Sequence, residues 1–212
     1  MLNQKREDAL TEMMNISIGK AAKLLSEMLD KRINLKIPKV DLISLAEIED
    51  DDFRLEKFPL DGHLLSSKIN FGKGIEGAAR LVFPIDQSKL LINLCLGEEE
   101  FDPDVKKDEF TDVDFDVIRE VGNVILNSIV GGLGNLVEDK IEYTLPKVEM
   151  VSLTKVERNL SQMNDNYLLL IYNNFIIGET TIEGSILLVL SISSIENLLT
   201  EIDKLVSDFY GE

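Results

Sequence analysis

From Asp8 to about Leu29 apolar residues recur at helical spacing (Leu10, Met13, Met14, Ile18, Ala21, Leu24, Leu25 and Met28), with good helix formers throughout. The same period returns further on, where Thr111 or Asp112 caps a helix through Val113, Val117, Ile118, Val121, Ile125 and Leu126. Gly131, Gly132 and Gly134 predict the end of that helix. Strand patterns lie at Leu64–Phe71, Ala78–Phe83, Tyr167–Phe175 and Ser185–Leu190, and short strands are expected to begin near Pro38 and Pro146. Two further helices are expected near Asp86–Leu96 and Ser193–Phe209. Each half of the chain thus reads helix, strand, hairpin, helix.

The halves also share residues. Asp8, Glu12, Asn15 and Pro38 reappear as Asp116, Glu120, Asn123 and Pro146, each displaced by 108 positions. Leu25/Leu133, Ile33/Ile141, Lys39/Lys147 and Ser44/Ser152 keep that displacement, which becomes 107 where Ile75-Glu76-Gly77 meets Ile182-Glu183-Gly184. The chain reads as a duplication, with repeats of about 1–105 and 106–212. Half of such a unit exposes a sheet edge, and pairing two halves about a pseudo-twofold axis covers it. The expected architecture is a single α+β domain, internally duplicated and pseudo-twofold symmetric, with helices on a mainly antiparallel sheet. The charged stretch Glu98–Glu109 is the candidate joint.

Composition narrows the possibilities. With 44% hydrophobic residues in 212, the chain has the apolar content of a globular protein. Its apolar runs fall short of a membrane span, and Glu7 and Asp8 follow the N-terminus where a secretory signal would need an apolar core. The lone Cys95 forms no internal disulfide and is expected to act as a small hydrophobe in a reducing cytoplasm. A net charge of −17 without a Lys/Arg cluster argues against nucleic acid and anionic membrane as partners. The acidity suits solubility first, and attraction to a positively charged partner face second. A monomer is expected.

On a helix, positions 8, 12 and 15 fall within about 60° of one another, as do 116, 120 and 123. One such polar stripe would pass for a solvated helix face. Two at identical spacing, while Lys20, Lys23 and Glu27 have become Ser128, Gly131 and Asn135, point to function. The single histidine, His63, has no counterpart in the second half and reads as a loop residue beside Asp61-Gly62. No Cys/His metal cluster exists, and Asp with Glu one turn apart makes at best a weak hard-cation site. An amide orients a water by donating and accepting at once but is too weak a base to deprotonate it. That suits an electrophile already activated, such as an acyl phosphate beside its own Mg²⁺. A carboxylate nearby suits a lysine ammonium.

The pattern Asp-x-x-x-Glu-x-x-Asn, with a proline after twenty-two intervening residues, resembles the signature of the CheC/CheX/FliY phosphatases, and both copies match it. Asn15-Ile-Ser-Ile-Gly-Lys-Ala-Ala is similar to that family's first site, and Glu120-Val-Gly-Asn123 to its second. The resemblance implies a phosphatase acting on the aspartyl phosphate of a CheY-like response regulator. Asn15 or Asn123 would orient the attacking water, and Glu12 or Glu120 would pair with the regulator's lysine. Asp8 and Asp116 would support at the rim, and Pro38 and Pro146 would set the strand behind each helix. It further implies that Mg²⁺ comes with the regulator, that this chain holds no cofactor, and that the receptor deamidase CheD is a partner. CheC, with two copies and no flagellar-switch extension, is the expected branch.

Met14 stands where the second copy has Gly122 and is expected to narrow the approach to the first site, leaving Glu120/Asn123 the stronger. Gly72-x-Gly74-x-x-Gly77 spells a dinucleotide pattern, but a strand follows where pyrophosphate needs a helix, so a hairpin turn is expected. The alternative to an enzyme is a non-catalytic adaptor that binds a response regulator or CheD. A weaker alternative is a component of the flagellar switch.

Overall fold

The computed structural model describes residues 3–47, 62–97, 110–163 and 166–210. Helix α1 (Gln4–Leu29) begins where the Asn3 side chain accepts from the Arg6 amide and ends at Asp30 in the left-handed region. Its inner face, Leu10, Met14, Ile18, Ala21 and Leu25, is buried. Helix α3 (Asp112–Leu136) starts with a capping box in which Thr111 and Asp114 satisfy each other's backbone amides. It runs past the three glycines expected to end it. Gly132 is there for close approach, since a Cβ would come within 2.0 Å of Ser17 Oγ on α1.

The strands are β1 (Ile33–Ser44), β2 (His63–Gly72), β3 (Gly77–Pro84), β4 (Glu142–Tyr143), β5 (Lys147–Ser152), β6 (Asn166–Ile177) and β7 (Thr180–Ser191). Among the described residues they form one antiparallel sheet in the order β1-β6-β7-β3-β2-β4, with β5 also on β2. Exchanging β1 with β5, β2 with β6 and β3 with β7 leaves the order β1-β6-β7-β3-β2-β5 unchanged when read backwards. At its centre Arg80 of β3 pairs with Leu187 of β7, two positions 107 apart. The α+β architecture and the antiparallel sheet are as expected.

Successive strand residues face opposite ways. Leu65, Ile69, Leu81, Phe83, Leu169 and Ile171 join the main core under α1, α3, α2 (Ile85–Leu96) and α5 (Ile192–Tyr210). Leu64, Val82, Leu168, Leu170 and Leu187 build a smaller core on the other face. That second face is closed by α4 (Leu153–Ser161), capped by Ser152, an element the strand-based reading of this stretch lacked.

Several expectations change in detail. Strand β1 starts at Ile33, ahead of Pro38, because Ile33, Leu35 and Ile37 alternate into the core. His63 is the first residue of β2, exposed and opposite Ser152, and so belongs to the sheet. The Gly72–Gly77 segment is a hairpin turn as expected, with Gly74 at φ 83°. Cys95 packs against the core, and burial pushes its thiol up to about 11. The joint expected at Glu98–Glu109 lies outside the described residues.

Candidate functional site

Asp8, Glu12 and Asn15 line the outer side of α1, above the buried Leu10, Met14 and Ile18; Asp116, Glu120 and Asn123 do the same on α3, above Ile118, Val121 and Gly122. In each stripe the two carboxylates are exposed and the asparagine is half-buried. Asp8 accepts from Gln4 Nε2 at 2.9 Å, and Asp116 is paired with the Arg119 guanidinium. Glu12 and Glu120 make no ion pair with any described residue. Both are therefore available to a cation from outside.

The prolines mark the same backbone irregularity twice. Between Lys36 and Lys39 the β1 register slips by one residue against β6. Between Tyr143 and Lys147 it slips by one against β2, with Pro146 in the gap that separates β4 from β5. A residue without an N–H belongs at such a bulge.

The asparagines, however, are held differently. Asn15 Oδ1 accepts from the Ile37 amide at 3.1 Å, and its Nδ2 donates to the carbonyls of Ile37 at 3.3 Å and Thr11 at 3.0 Å. Its amide thus supplies the bulge with the backbone partners the ladder cannot give. Asn123 makes no such bond to Leu145, the position matching Ile37. Leu145 is 89% exposed, whereas Ile37 is 3% exposed. Asn123 Oδ1 instead accepts from Asn127 Nδ2 at 2.8 Å, and its own Nδ2 makes no hydrogen bond to another described residue.

Asn127 was missed from the sequence, although its place one turn beyond Asn123 was a usable signal; Gly19 occupies that place on α1. Met14 does not narrow the first site. It is wholly buried and faces the sheet, as does Gly122, where a Cβ would come within 2.2 Å of Ser67 Oγ on β2. The difference at this position is one of helix-to-sheet packing.

Helix α3 is also pinned more deeply than α1. Lys89 of α2 pairs with the buried Asp114 at 2.8 Å. Burial pushes the Asp114 carboxyl up, but the bonds from Lys89 and Thr111 outweigh it and hold the carboxyl below the usual range. The corresponding anchor of α1 is the exposed pair Arg6–Asp203, at 2.6 Å. Among the described residues there is no group of three or more His, Cys, Asp or Glu that could hold a metal ion, and no helix is long and apolar enough to cross a membrane.

A bundle-backed antiparallel sheet with an acid–amide stripe on each of two helices defines the class. Residues 6–40 match the model of the CheC-like family, a span that contains Asp8, Glu12, Asn15 and Pro38. The resemblance to the CheC/CheX/FliY group therefore holds in sequence and in fold. The flagellar motor switch phosphatase FliY of Bacillus subtilis is 23% identical over 201 residues, covering 95% of this chain and 50% of FliY. This chain thus spans half the length of that relative. The CheY-P phosphatase CheC of the same organism is 23% identical over 150 residues, covering 70% of this chain and 68% of CheC. The crystal structure of Thermotoga maritima FliY shares the fold at a TM-score of 0.73 and 19% identity, over 96% of this chain and 98% of that one.

Proposed function

We propose that this chain is an aspartyl-phosphate phosphatase for a CheY-like response regulator, and that Glu120 and Asn123 form its ready site. Both curated relatives are phosphatases, and CheC is named for CheY-P, which supports the reaction class. The observation that carries the residue assignment is the state of Asn123: its Oδ1 is fixed by Asn127 while its Nδ2 has no partner among the described residues. A group that must orient water needs a fixed position and free hydrogen-bonding capacity together.

In this reading α3 lies across the regulator's active site. Glu120 pairs with a lysine ammonium there, and the Asn123 amide holds a water in line with phosphorus. The water oxygen bonds to phosphorus as the bond to the aspartyl oxygen breaks. Inorganic phosphate leaves, the aspartate is regenerated as a carboxylate, and the water's proton passes to phosphate or solvent. The regulator's Mg²⁺ neutralises charge developing on the phosphoryl oxygens. Glu12 and Asn15 form the second copy, which must release Ile37 before its amide can serve. Asp8 and Asp116 set the rims, and Pro38 and Pro146 the bulges.

The two-repeat organisation of the domain, about 1–105 and 106–212, belongs to the same proposal, supported by the palindromic strand order and the central Arg80–Leu187 pair. So do a cytoplasmic location and CheD as a second partner, which rest on the resemblance. The test is the decay of the phosphorylated regulator with this protein present, wild type against Asn15→Ala/Asn123→Ala. Accelerated decay that the double variant loses while still binding supports the enzyme. Binding without acceleration favours the adaptor, and acceleration that survives the double variant overturns the assignment to Asn15 and Asn123.

A further inference from the structure

On the sheet face opposite α1 and α3, a cavity of about 340 Å³ opens between α4 and strands β2, β3 and β7. Its apolar walls are Val156 and Leu160 from α4 and Leu187 and Val189 from β7. Asn159 and Gln162 stand exposed at its rim, and no carboxylate lines it among the described residues. It straddles the central Arg80–Leu187 pair and so draws residues from both halves of the chain.

The charge beside it is out of character for a chain with 39 acidic and 22 basic residues. Lys147 of β5 stands opposite Lys68 of β2, which stands opposite Arg80 of β3, a row of three cations on one face. Like charges directly opposite one another destabilise a sheet. Glu149 answers Arg80 at 3.2 Å, with Ser66 accepting from the same guanidinium at 2.8 Å. Lys68 has no ion-pair partner among the described residues, although it is half-buried. Burial, then the neighbouring Arg80 and more weakly Lys147, lower the pKa of its ammonium, against an opposing pull from Glu149. A cation with no ion pair among the described residues, at the mouth of an apolar pocket, is stabilised by an anion whose own body is apolar.

We propose that this cavity binds a small amphipathic anion, its carboxylate or phosphate head on Lys68 and its apolar body against Val156, Leu160 and Leu187. The site is separate from the acid–amide stripes, since the sheet lies between them.

Isothermal calorimetry of the full chain with octanoate, octyl phosphate and octylammonium tests this. The expected result is one site per chain for the anions, with octylammonium at least tenfold weaker. Whichever of octanoate and octyl phosphate binds tighter identifies the head. Lys68→Met is expected to weaken both anions at least tenfold, and Ala78→Leu, which fills the cavity without changing charge, to remove binding. Should Lys68→Met not fold, Ala78→Leu and the ammonium comparison still decide. Equal binding of octanoate and octylammonium, anion binding undiminished by a folded Lys68→Met, or no binding by any of the three would overturn the proposal.

Discussion

The outer faces of α1 and α3 carry the same three side chains at the same spacing, yet their asparagines are differently employed. Asn15 is bound on both ends of its amide to the buried Ile37 backbone; Asn123 is steadied by one neighbour, and its amine end has no partner among the described residues. The cause lies in the strand behind each helix. In the first half the bulge at Pro38 sits inside a continuous β1 that packs Ile37 into the core. In the second half the strand is broken into β4 and β5, and Leu145 is left in solvent. One motif is thus tied to the backbone on α1 and only partly engaged on α3.

Breaking the comparison from the structural side gives the largest stability effect. Asn15→Ala leaves the Ile37 amide and carbonyl buried without partners and is expected to cost about 2 kcal/mol in urea unfolding. Asn123→Ala removes a single half-buried bond and should cost less than about 1 kcal/mol in the same assay. Equal losses would mean that the two asparagines share one role.

The helix anchors come next. Asp114→Asn weakens both the capping box and the bond from Lys89, at an expected cost of about 1–2 kcal/mol near neutral pH. The sign of the pH effect follows from the lowered folded-state pKa. Asp114's contribution is present above the ordinary carboxylate range and is lost as pH falls through the folded value. The stability gap between wild type and Asp114→Asn should therefore close in acid, and a gap independent of pH would rule out the ionised carboxylate as its source.

Smaller still is the effect of loosening the open amide. Asn127→Ala should slow turnover about fivefold with regulator binding unchanged, a difference of about 1 kcal/mol. An equal fall in binding would make Asn127 part of the docking surface. Smallest is the exposed anchor of α1: Asp203→Asn should cost no more than about 0.5 kcal/mol, decreasing with salt.

Much of this was legible in the sequence. The helices over the main core and the doubled stripe follow from periodicity and spacing, because the helices bury one face and expose the other, and the four long hairpin strands follow from apolar runs buried on both faces. Helix α4 was not read, although Leu153, Val156 and Leu160 keep helical spacing, since the stretch is short and follows a strand directly. The alternation Ile33, Leu35, Ile37 marked the true start of β1, but the proline drew attention away from it. The unequal asparagines were not legible at all. Their difference depends on whether a bulge twenty-two residues away lies against the helix, which tertiary packing decides. Met14 misled for the opposite reason: its neighbour in sequence lies on the stripe, but one residue turns a helix by about 100° and sends Met14 into the core.

The most direct measurement is decay of the phosphorylated regulator with Asn15→Ala and Asn123→Ala tested singly, in conditions where both are folded. The account predicts that Asn123→Ala lowers turnover about 100-fold, while Asn15→Ala stays within about threefold of wild type. A large loss in Asn15→Ala with near-normal turnover in Asn123→Ala would contradict it.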